Sequence, residues 1–262
     1  ATATQTNTSV PATETPTGTA VGATATSTAT ANTPTAVPTA CTIVFADVAQ
    51  DSTFYSFVRC LACRGIINGY ACGGAGEPCN GNNDPYFRPA NNVTRGQIAK
   101  IVSNAAGFTE PQTGQTFEDV PVGSTFHVFV ERLTSRAIMS GYQCGGAGEP
   151  CISPGNRPYF RPNSNATRGQ LAKIVSNAAG LNDPVTGQTF EDVAPGSTFY
   201  SFIERLFAAG VMSGYQCGGA GEPCISPGNR PYFRPANNVT RGQTSKIVSN
   251  TFFPGCSTPQ KK

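Results

Sequence analysis

A glycine loop bracketed by two cysteines occurs three times in this chain, as GYACGGAGEPC at 69–79 and as GYQCGGAGEPC at 141–151 and 214–224. The segments around the loop recur with it, and the arginines of the three TRGQ motifs are 73 residues apart. A fixed period of this length is typical of repeated supersecondary units that bury their apolar faces against one another. We therefore divide the chain into repeat 1 (41–108), repeat 2 (109–181), repeat 3 (182–256) and a short C-terminal tail (257–262).

Residues 1–40 differ in composition from the repeats. They contain 15 Thr and no Lys, Arg, Phe or Tyr, so they have too little apolar surface to offset the entropy of ordering. We expect an extended tail, in which the alternating Ala and Thr of 21–32 place methyl groups on one face and hydroxyls on the other. Such a strand is suited to contact neighbouring copies of the chain. Four hydroxyls in it are candidates for O-linked sugar: Thr24, Thr26, Thr28 and Thr30.

The cysteine pattern predicts disulfides and an oxidising compartment. The chain has ten Cys, and an even number at regular spacing is typical of a disulfide framework in an exported protein. A structural zinc site needs four grouped ligands, but each loop offers two Cys and the sequence has one histidine. We therefore predict no metal and three loop disulfides, Cys72–Cys79, Cys144–Cys151 and Cys217–Cys224. The remaining four cysteines allow Cys41–Cys256 with Cys60–Cys63, and crossed pairings stay open.

The first helix of each repeat is predicted just after the F-x-D-V motif. Apolar residues recur there at i, i+3, i+4 and i+7, as in FYSFVRCL at 54–61, the spacing of a short amphipathic helix. Glycine stands where the helix should end in repeats 1 and 3, at Gly65 and Gly210. Ala137 takes that position in repeat 2.

The second helix of each repeat is predicted after the TRGQ motif. Its Thr and the Gln three residues later have the spacing of a capping box. In repeat 3 the first position of the apolar stripe is Thr244, so we expect that helix to be less buried on one side. Each repeat then consists of a helix, a clipped loop and a helix, and the predicted fold class is mainly α. The predicted N-caps are Thr94, Thr167 and Thr240.

These motifs give the chain a family resemblance. FADV, GIINGY and YFRPANNVTRGQIAKIV follow in order from Phe45 to Val102 and again in two later copies, and this set resembles the S-layer homology repeats of bacterial cell-surface proteins. The resemblance covers residue 45 to about residue 250. It implies three helix-loop-helix repeats packed as a pseudo-threefold trimer within a single chain, without catalytic activity. It also implies a role in fastening a protein to an anionic, pyruvylated secondary cell-wall polysaccharide.

The resemblance also implies where the polysaccharide would bind. The arginine of each TRGQ motif would contact a carboxylate of the glycan in a groove between repeats, and the family's F-x-D motif would supply a carboxylate nearby. Gly and Gln follow the arginine here, where the family usually has Ala and Glu. The arginines are Arg95, Arg168 and Arg241, and the aspartates are Asp47, Asp119 and Asp192.

A physical argument supports an anion site at the same place. An arginine in the first turn of a helix lies beside free backbone N–H groups and the positive end of the helix dipole. The alternative is that each arginine pairs with the F-x-D aspartate or with the glutamate of a clipped loop, and ties repeats together. The tyrosines of the GY and PYFRP motifs suit sugar stacking or coverage of the core, and we favour the core. The unrepeated His127 is expected at the surface. The loop glutamates are Glu77, Glu149 and Glu222.

Other classes of function find little support. The sequence has no HExxH or GxSxG motif and no phosphate-binding glycine loop, so we predict neither a catalytic residue nor a cofactor. A net charge of +3 without a basic cluster in the repeats argues against nucleic-acid binding. No apolar run reaches the length of about 18 residues that membrane insertion needs. We expect a secreted protein of the bacterial cell surface.

Two functions remain after these exclusions. The first is a non-catalytic structural subunit that self-assembles into an extracellular layer or filament, in which the N-terminal tail contacts neighbouring copies. The second is a module that anchors a protein to the cell wall by binding its polysaccharide. The composition of the tail favours the first. The expected partners are therefore copies of the chain itself and glycan, either in the wall or covalently attached.

Overall fold

The computed structural model describes residues 41–257. This part of the chain is mainly helical, with six α-helices, one short 3₁₀ helix and no β-strand. The expectations for the N-terminal tail and for Thr24, Thr26, Thr28 and Thr30 lie outside the described residues. The α-helices are α1 (Tyr55–Cys63), α2 (Arg95–Ala105), α3 (His127–Ser135), α4 (Arg168–Ala178), α5 (Tyr200–Ala208) and α6 (Arg241–Phe252), and the 3₁₀ helix is Pro254–Ser257.

The first helices of the repeats, α1, α3 and α5, form where the apolar spacing predicts them. In α1 the stripe that includes Val58 and Leu61 is buried. The chain leaves the helix at Gly65, whose φ is +68°. The N–H of Gly65 donates to the Ala62 carbonyl at 2.9 Å and the N–H of Ile66 to the Leu61 carbonyl at 3.0 Å. This pair of bonds closes a helix that ends in a left-handed residue, so glycine is the favoured residue at this position.

Ala137 occupies the equivalent position after α3 and has a φ of +56°. A Cβ makes this left-handed backbone unfavourable by about 1 kcal/mol relative to glycine. We expect Ala137→Gly to raise the free energy of unfolding by about 0.5–1 kcal/mol, measured by urea unfolding. Ala106→Gly is the matched control, because Ala106 ends α2 with a φ of −79° and should lose stability. A destabilised Ala137→Gly variant would contradict the prediction.

The second helices, α2, α4 and α6, begin with the predicted capping boxes. Thr94 Oγ1 accepts from the Gln97 N–H at 3.3 Å, and Gln97 Oε1 accepts from the Thr94 N–H at 3.1 Å. Thr167 and Thr240 cap their helices in the same way. The expectation that Thr244 leaves α6 less buried is wrong, because its side chain is fully buried. Its hydroxyl is satisfied inside the core by donating to the Thr240 carbonyl at 2.9 Å.

The helices pack across the boundaries between repeats. α2 contacts α3, α4 contacts α5 and α6 contacts α1, while α2, α4 and α6 also contact one another. Beside them, the N–H of Val93 donates to the Val239 carbonyl, that of Val239 to Ala166 and that of Ala166 to Val93, each at 3.0 Å. All three residues are 0% exposed. A closed ring of backbone hydrogen bonds therefore joins the three repeats inside the core.

Five disulfides cross-link the described residues. Two of them differ from the set Cys41–Cys256 and Cys60–Cys63, because Cys41 bonds to Cys63 and Cys60 to Cys256. Cys60 is 4% exposed and lies where α1 contacts the 3₁₀ helix that carries Cys256. This contact between the two ends of the repeat array decides the pairing. The other three disulfides close the loops, as Cys72–Cys79, Cys144–Cys151 and Cys217–Cys224.

The expectation that His127 lies at the surface is also wrong. Its side chain is 2% exposed, and Nε2 lies 2.6 Å from the carbonyl oxygen of Gly114. In repeat 3 the equivalent Tyr200 donates its hydroxyl to the carbonyl of Gly187. The imidazole therefore replaces a tyrosine that holds the segment linking one repeat to the next.

Candidate functional site

The candidate site lies at the junctions, where each second helix begins against the next repeat. In α2 the N–H of Arg95 donates to the Ser164 carbonyl and the N–H of Gly96 to the Pro162 carbonyl, both at 2.9 Å. The N–H of Gln97 is used by the capping threonine. The first turns of α4 and α6 make the same bonds to repeats 3 and 1. The expectation of free N–H groups for an anion at these three helix starts is therefore wrong, since the neighbouring repeat already accepts them.

The arginine side chains of the TRGQ motifs cross the same junctions. Arg95 donates from Nε to the Phe160 carbonyl and from Nη2 to the Ser140 carbonyl, both at 2.8 Å. Its guanidinium lies 4.6 Å from the ring centre of Phe160 and 5.2 Å from that of Tyr142. Burial lowers the pKa of Arg95, but an arginine stays protonated in a protein. Equivalent bonds join Arg168 to Phe233 and Ser213, and Arg241 to Phe87 and Asn68.

The ion pairs suggested for these arginines do not form within residues 41–257. The tie between repeats is made through carbonyl oxygens, while the F-x-D aspartates accept backbone N–H groups of their own repeat. Asp119 Oδ1 accepts from the Phe160 N–H at 2.7 Å and Oδ2 from the Arg161 N–H at 2.6 Å. These bonds hold Arg161 at a φ of +60°. Asp47 and Asp192 do the same in repeats 1 and 3.

The clipped loop is held by the arginine of the PYFRP motif, which was not among the predicted site residues. Arg161 donates from Nε and Nη2 to the two carboxylate oxygens of Glu149 at 2.6 and 2.7 Å. Its guanidinium also stacks 3.8 Å from the ring centre of Tyr142. The recurrence of one Glu per loop and one Arg per PYFRP was the signal that could have shown this pairing. The equivalent pairs are Glu77 with Arg88 and Glu222 with Arg234.

These pairs predict a loss of stability in acid. The hydrogen bonds from arginine lower the pKa of Glu77, Glu149 and Glu222. Such a carboxylate stabilises the fold above its unfolded pKa of about 4.3, and the contribution is lost as the pH falls through the folded pKa. We expect the free energy of unfolding to fall between about pH 5 and pH 3, and to fall less in the triple Glu→Gln variant. Urea unfolding at both pH values measures this, and equal losses in the two proteins would contradict it.

The glycine after each TRGQ arginine permits a close approach between repeats. A Cβ on Gly169 would lie 2.5 Å from Cδ2 of Phe199 in repeat 3, closer than two carbon atoms can pack. Gly96 faces Phe126 in the same way, and Gly242 faces Phe54. An alanine at this position would displace the phenylalanine ring, so the glycines are part of the junction.

A cavity of about 190 Å³ lies mainly on repeat 2, and Arg95 of repeat 1 and Thr198 and Phe199 of repeat 3 complete its wall. Arg95 and Lys173 place two cationic groups in its wall, and Gln170 adds an amide. Tyr142 and Phe199 supply aromatic surface, and none of the lining residues is acidic. Such a lining suits a carboxylate, which accepts charge-assisted hydrogen bonds from arginine and lysine. We call this cavity the groove. Of the predicted site residues, Arg95 of a TRGQ motif lines the groove, and none of the F-x-D aspartates does.

The other features found on the surface of residues 41–257 suggest no further site. A second depression of about 740 Å³ lies over the clipped loop of repeat 3, where its charged residues Glu222 and Arg234 pair with each other. In the described part of the chain, no three His, Cys, Asp or Glu side chains are grouped so that they could hold a metal ion. None of the helices between residues 41 and 257 has the length and apolar character to cross a membrane.

Comparison with known proteins gives one family match and several distant relatives. The S-layer homology domain family matches residues 80–99 and 189–245. An endoglucanase of Bacillus sp. (strain KSM-635) is 22% identical over 80% of this chain and 19% of its own length. A cellulosome-anchoring protein of Acetivibrio thermocellus is 22% identical over 70% of this chain and 38% of its own. The surface-layer 125 kDa protein of Lysinibacillus sphaericus is 24% identical over 78% of this chain and 14% of its own length. The chain thus spans well under half of each relative.

Proposed function

Because this chain belongs to the S-layer homology family of cell-surface proteins, we propose that it anchors to the bacterial cell wall by binding an anionic polysaccharide between its repeats. It is a secreted protein of the cell surface, and its repeats form a non-enzymatic module. The similarity to a protein named as cellulosome-anchoring supports the proposal. The pyruvylated polysaccharide that the family resemblance implies carries the carboxylate that such a groove suits.

One observation carries the proposal, the buried guanidinium of Arg95 in a groove without acidic residues. Arg95 is 6% exposed, and two carbonyl oxygens accept hydrogen bonds from its Nε and Nη2, but no carboxylate of the described residues pairs with its charge. Lys173 adds a second positive charge to the same cavity. A buried charge without a counterion is unfavourable, so a carboxylate in the groove would be stabilised by Arg95 and by the half-buried Lys173.

We infer further that the three repeats are related by a pseudo-threefold axis, which gives the chain three equivalent grooves. The closed ring of hydrogen bonds through Val93, Ala166 and Val239 supports this arrangement. The equivalent cation pairs would be Arg168 with Lys246 and Arg241 with Lys100. A polymer with repeated acidic groups that engages more than one groove gains affinity through effective concentration.

The test uses the lysines, because replacing the arginines would also remove the ties between repeats. We expect Lys100→Gln/Lys173→Gln/Lys246→Gln to bind purified cell walls at least tenfold more weakly, a loss of about 1.4 kcal/mol. Co-sedimentation with walls, before and after their acidic polysaccharide is extracted, measures the binding. Unchanged binding would overturn the proposal. The matched control removes three positive charges from exposed side chains that do not line the cavity, as Arg59→Gln/Arg157→Gln/Arg230→Gln.

Self-assembly into an extracellular layer or filament is the second candidate function. The similarity to a protein named as surface-layer supports it, with copies of the chain as partners and the N-terminal tail as the contacting segment. Deleting residues 1–40 would then convert polymers to soluble monomers. An anchor without these residues would still sediment with cell walls. Sedimentation of the purified chain with and without walls therefore separates the two functions.

A further inference from the structure

Both ends of the described chain are covalently bound to one turn of α1. Cys41, the first described residue, is bonded to Cys63, with their Cα atoms 5.6 Å apart. Cys256, in the last helical segment, is bonded to Cys60, with their Cα atoms 5.9 Å apart. Since Cys60 and Cys63 are three residues apart in a helix, they lie on the same side of α1 and about 5 Å from each other.

A short covalent path therefore runs from Cys41 to Cys256. It consists of two disulfides and the one helical turn between Cys60 and Cys63. Residues 64–255 lie off this path. They include the clipped loops, the grooves and the ring of hydrogen bonds in the core. The part of the protein proposed to bind polysaccharide is therefore not part of the covalent connection between Cys41 and Cys256.

Stabilisation of the fold accounts for the Cys60–Cys256 bond better than for the Cys41–Cys63 bond. The Cys41–Cys63 bond joins residues only 22 apart. The segment that follows Cys41 is poorly packed, with Ile43 40% and Val44 48% exposed. The main consequence of the bond is to fasten the chain that arrives from residues 1–40 onto α1. Arg59 adds to this attachment, because its Nη2 donates to the Cys41 carbonyl at 2.9 Å.

We propose that these two disulfides carry tension between the N-terminal and C-terminal segments, so that the repeats stay folded when the protein is pulled by its ends. Hydrogen bonds and apolar contacts yield at far lower force than covalent bonds, and a chain without the path would unfold from its ends. With the path, the load passes through one turn of α1 and bypasses the rest of the core and the grooves. This mechanical function goes beyond the proposed function and does not depend on what the grooves bind.

Single-molecule pulling on the full oxidised chain, held at Ala1 and Lys262, tests the proposal. We expect only the segments before Cys41 and after Cys256 to stretch, and no unfolding step of the repeats to follow. Cys60→Ala/Cys256→Ala should show a lengthening of roughly 550–630 Å, because the chain from Cys63 to Cys256 then extends at about 3.3–3.6 Å per residue except inside the three loop disulfides, which stay closed. A step of hundreds of ångströms in the oxidised wild-type chain would overturn the proposal, and this result does not require any variant to fold.

Two further variants separate the path from disulfides in general. Cys217→Ala/Cys224→Ala removes a bond that lies off the path, so it should show no step, like the wild type. Cys41→Ala/Cys63→Ala leaves the Cys60–Cys256 bond in place, and should lengthen by no more than about 60 Å. Long steps of equal size in all three variants would show that the path carries no load.

Discussion

Replacing both Cys60 and Cys256 by alanine is expected to lower the free energy of unfolding by about 5 kcal/mol. This bond joins residues 196 apart in sequence, and a cross-link between distant residues removes more conformational freedom from the unfolded chain than a local one. A clipped-loop disulfide joins residues 7 apart, and its loss should lower the free energy of unfolding by about 2 kcal/mol. Guanidinium unfolding under non-reducing conditions measures both values.

Cys217→Ala/Cys224→Ala is the matched control, because it also removes one disulfide and no charged group. Equal losses of stability in the two variants would contradict the argument from loop length. The pairing itself is checked by identifying the disulfide-linked peptides of the wild-type protein. A peptide that joins Cys41 to Cys256 would contradict the structure and the route of the covalent path through α1.

The second large effect is expected at Asp119, where Asp119→Ala should lower the free energy of unfolding by about 3–4 kcal/mol. The carboxylate accepts the N–H groups of Phe160 and Arg161 at 2.7 and 2.6 Å, and alanine leaves both without their acceptor. It also releases the left-handed backbone of Arg161, which presents its guanidinium to Glu149. Urea unfolding measures the change in stability, and a loss below about 1 kcal/mol would contradict the role assigned to this aspartate.

Two controls distinguish this role from a general effect of charge. Asp119→Asn keeps the shape and one acceptor oxygen, so we expect about half of the loss seen with alanine. Asp51→Ala removes the same charge from an exposed position, and should change the free energy of unfolding by no more than about 0.5 kcal/mol.

Local features of this protein were predictable from its sequence. The helices follow from apolar spacing within eight residues, such as 54–61, and their starts from the Thr-x-x-Gln boxes that the structure confirms at Thr94, Thr167 and Thr240. Gly65 marks the end of α1 because its left-handed backbone is a local requirement. Each of these depends on residues that are close together in the chain.

The roles of the charged and sulfur-bearing side chains were decided only by the tertiary structure. The sequence suggested a carboxylate partner for Arg95, but its guanidinium meets a carbonyl 65 residues away, and the loop glutamate pairs with Arg161 instead. Cys60 finds Cys256 because the last helical segment packs on α1. A sequence pattern records what a short segment prefers, whereas these partners depend on which distant surfaces meet once the repeats have packed.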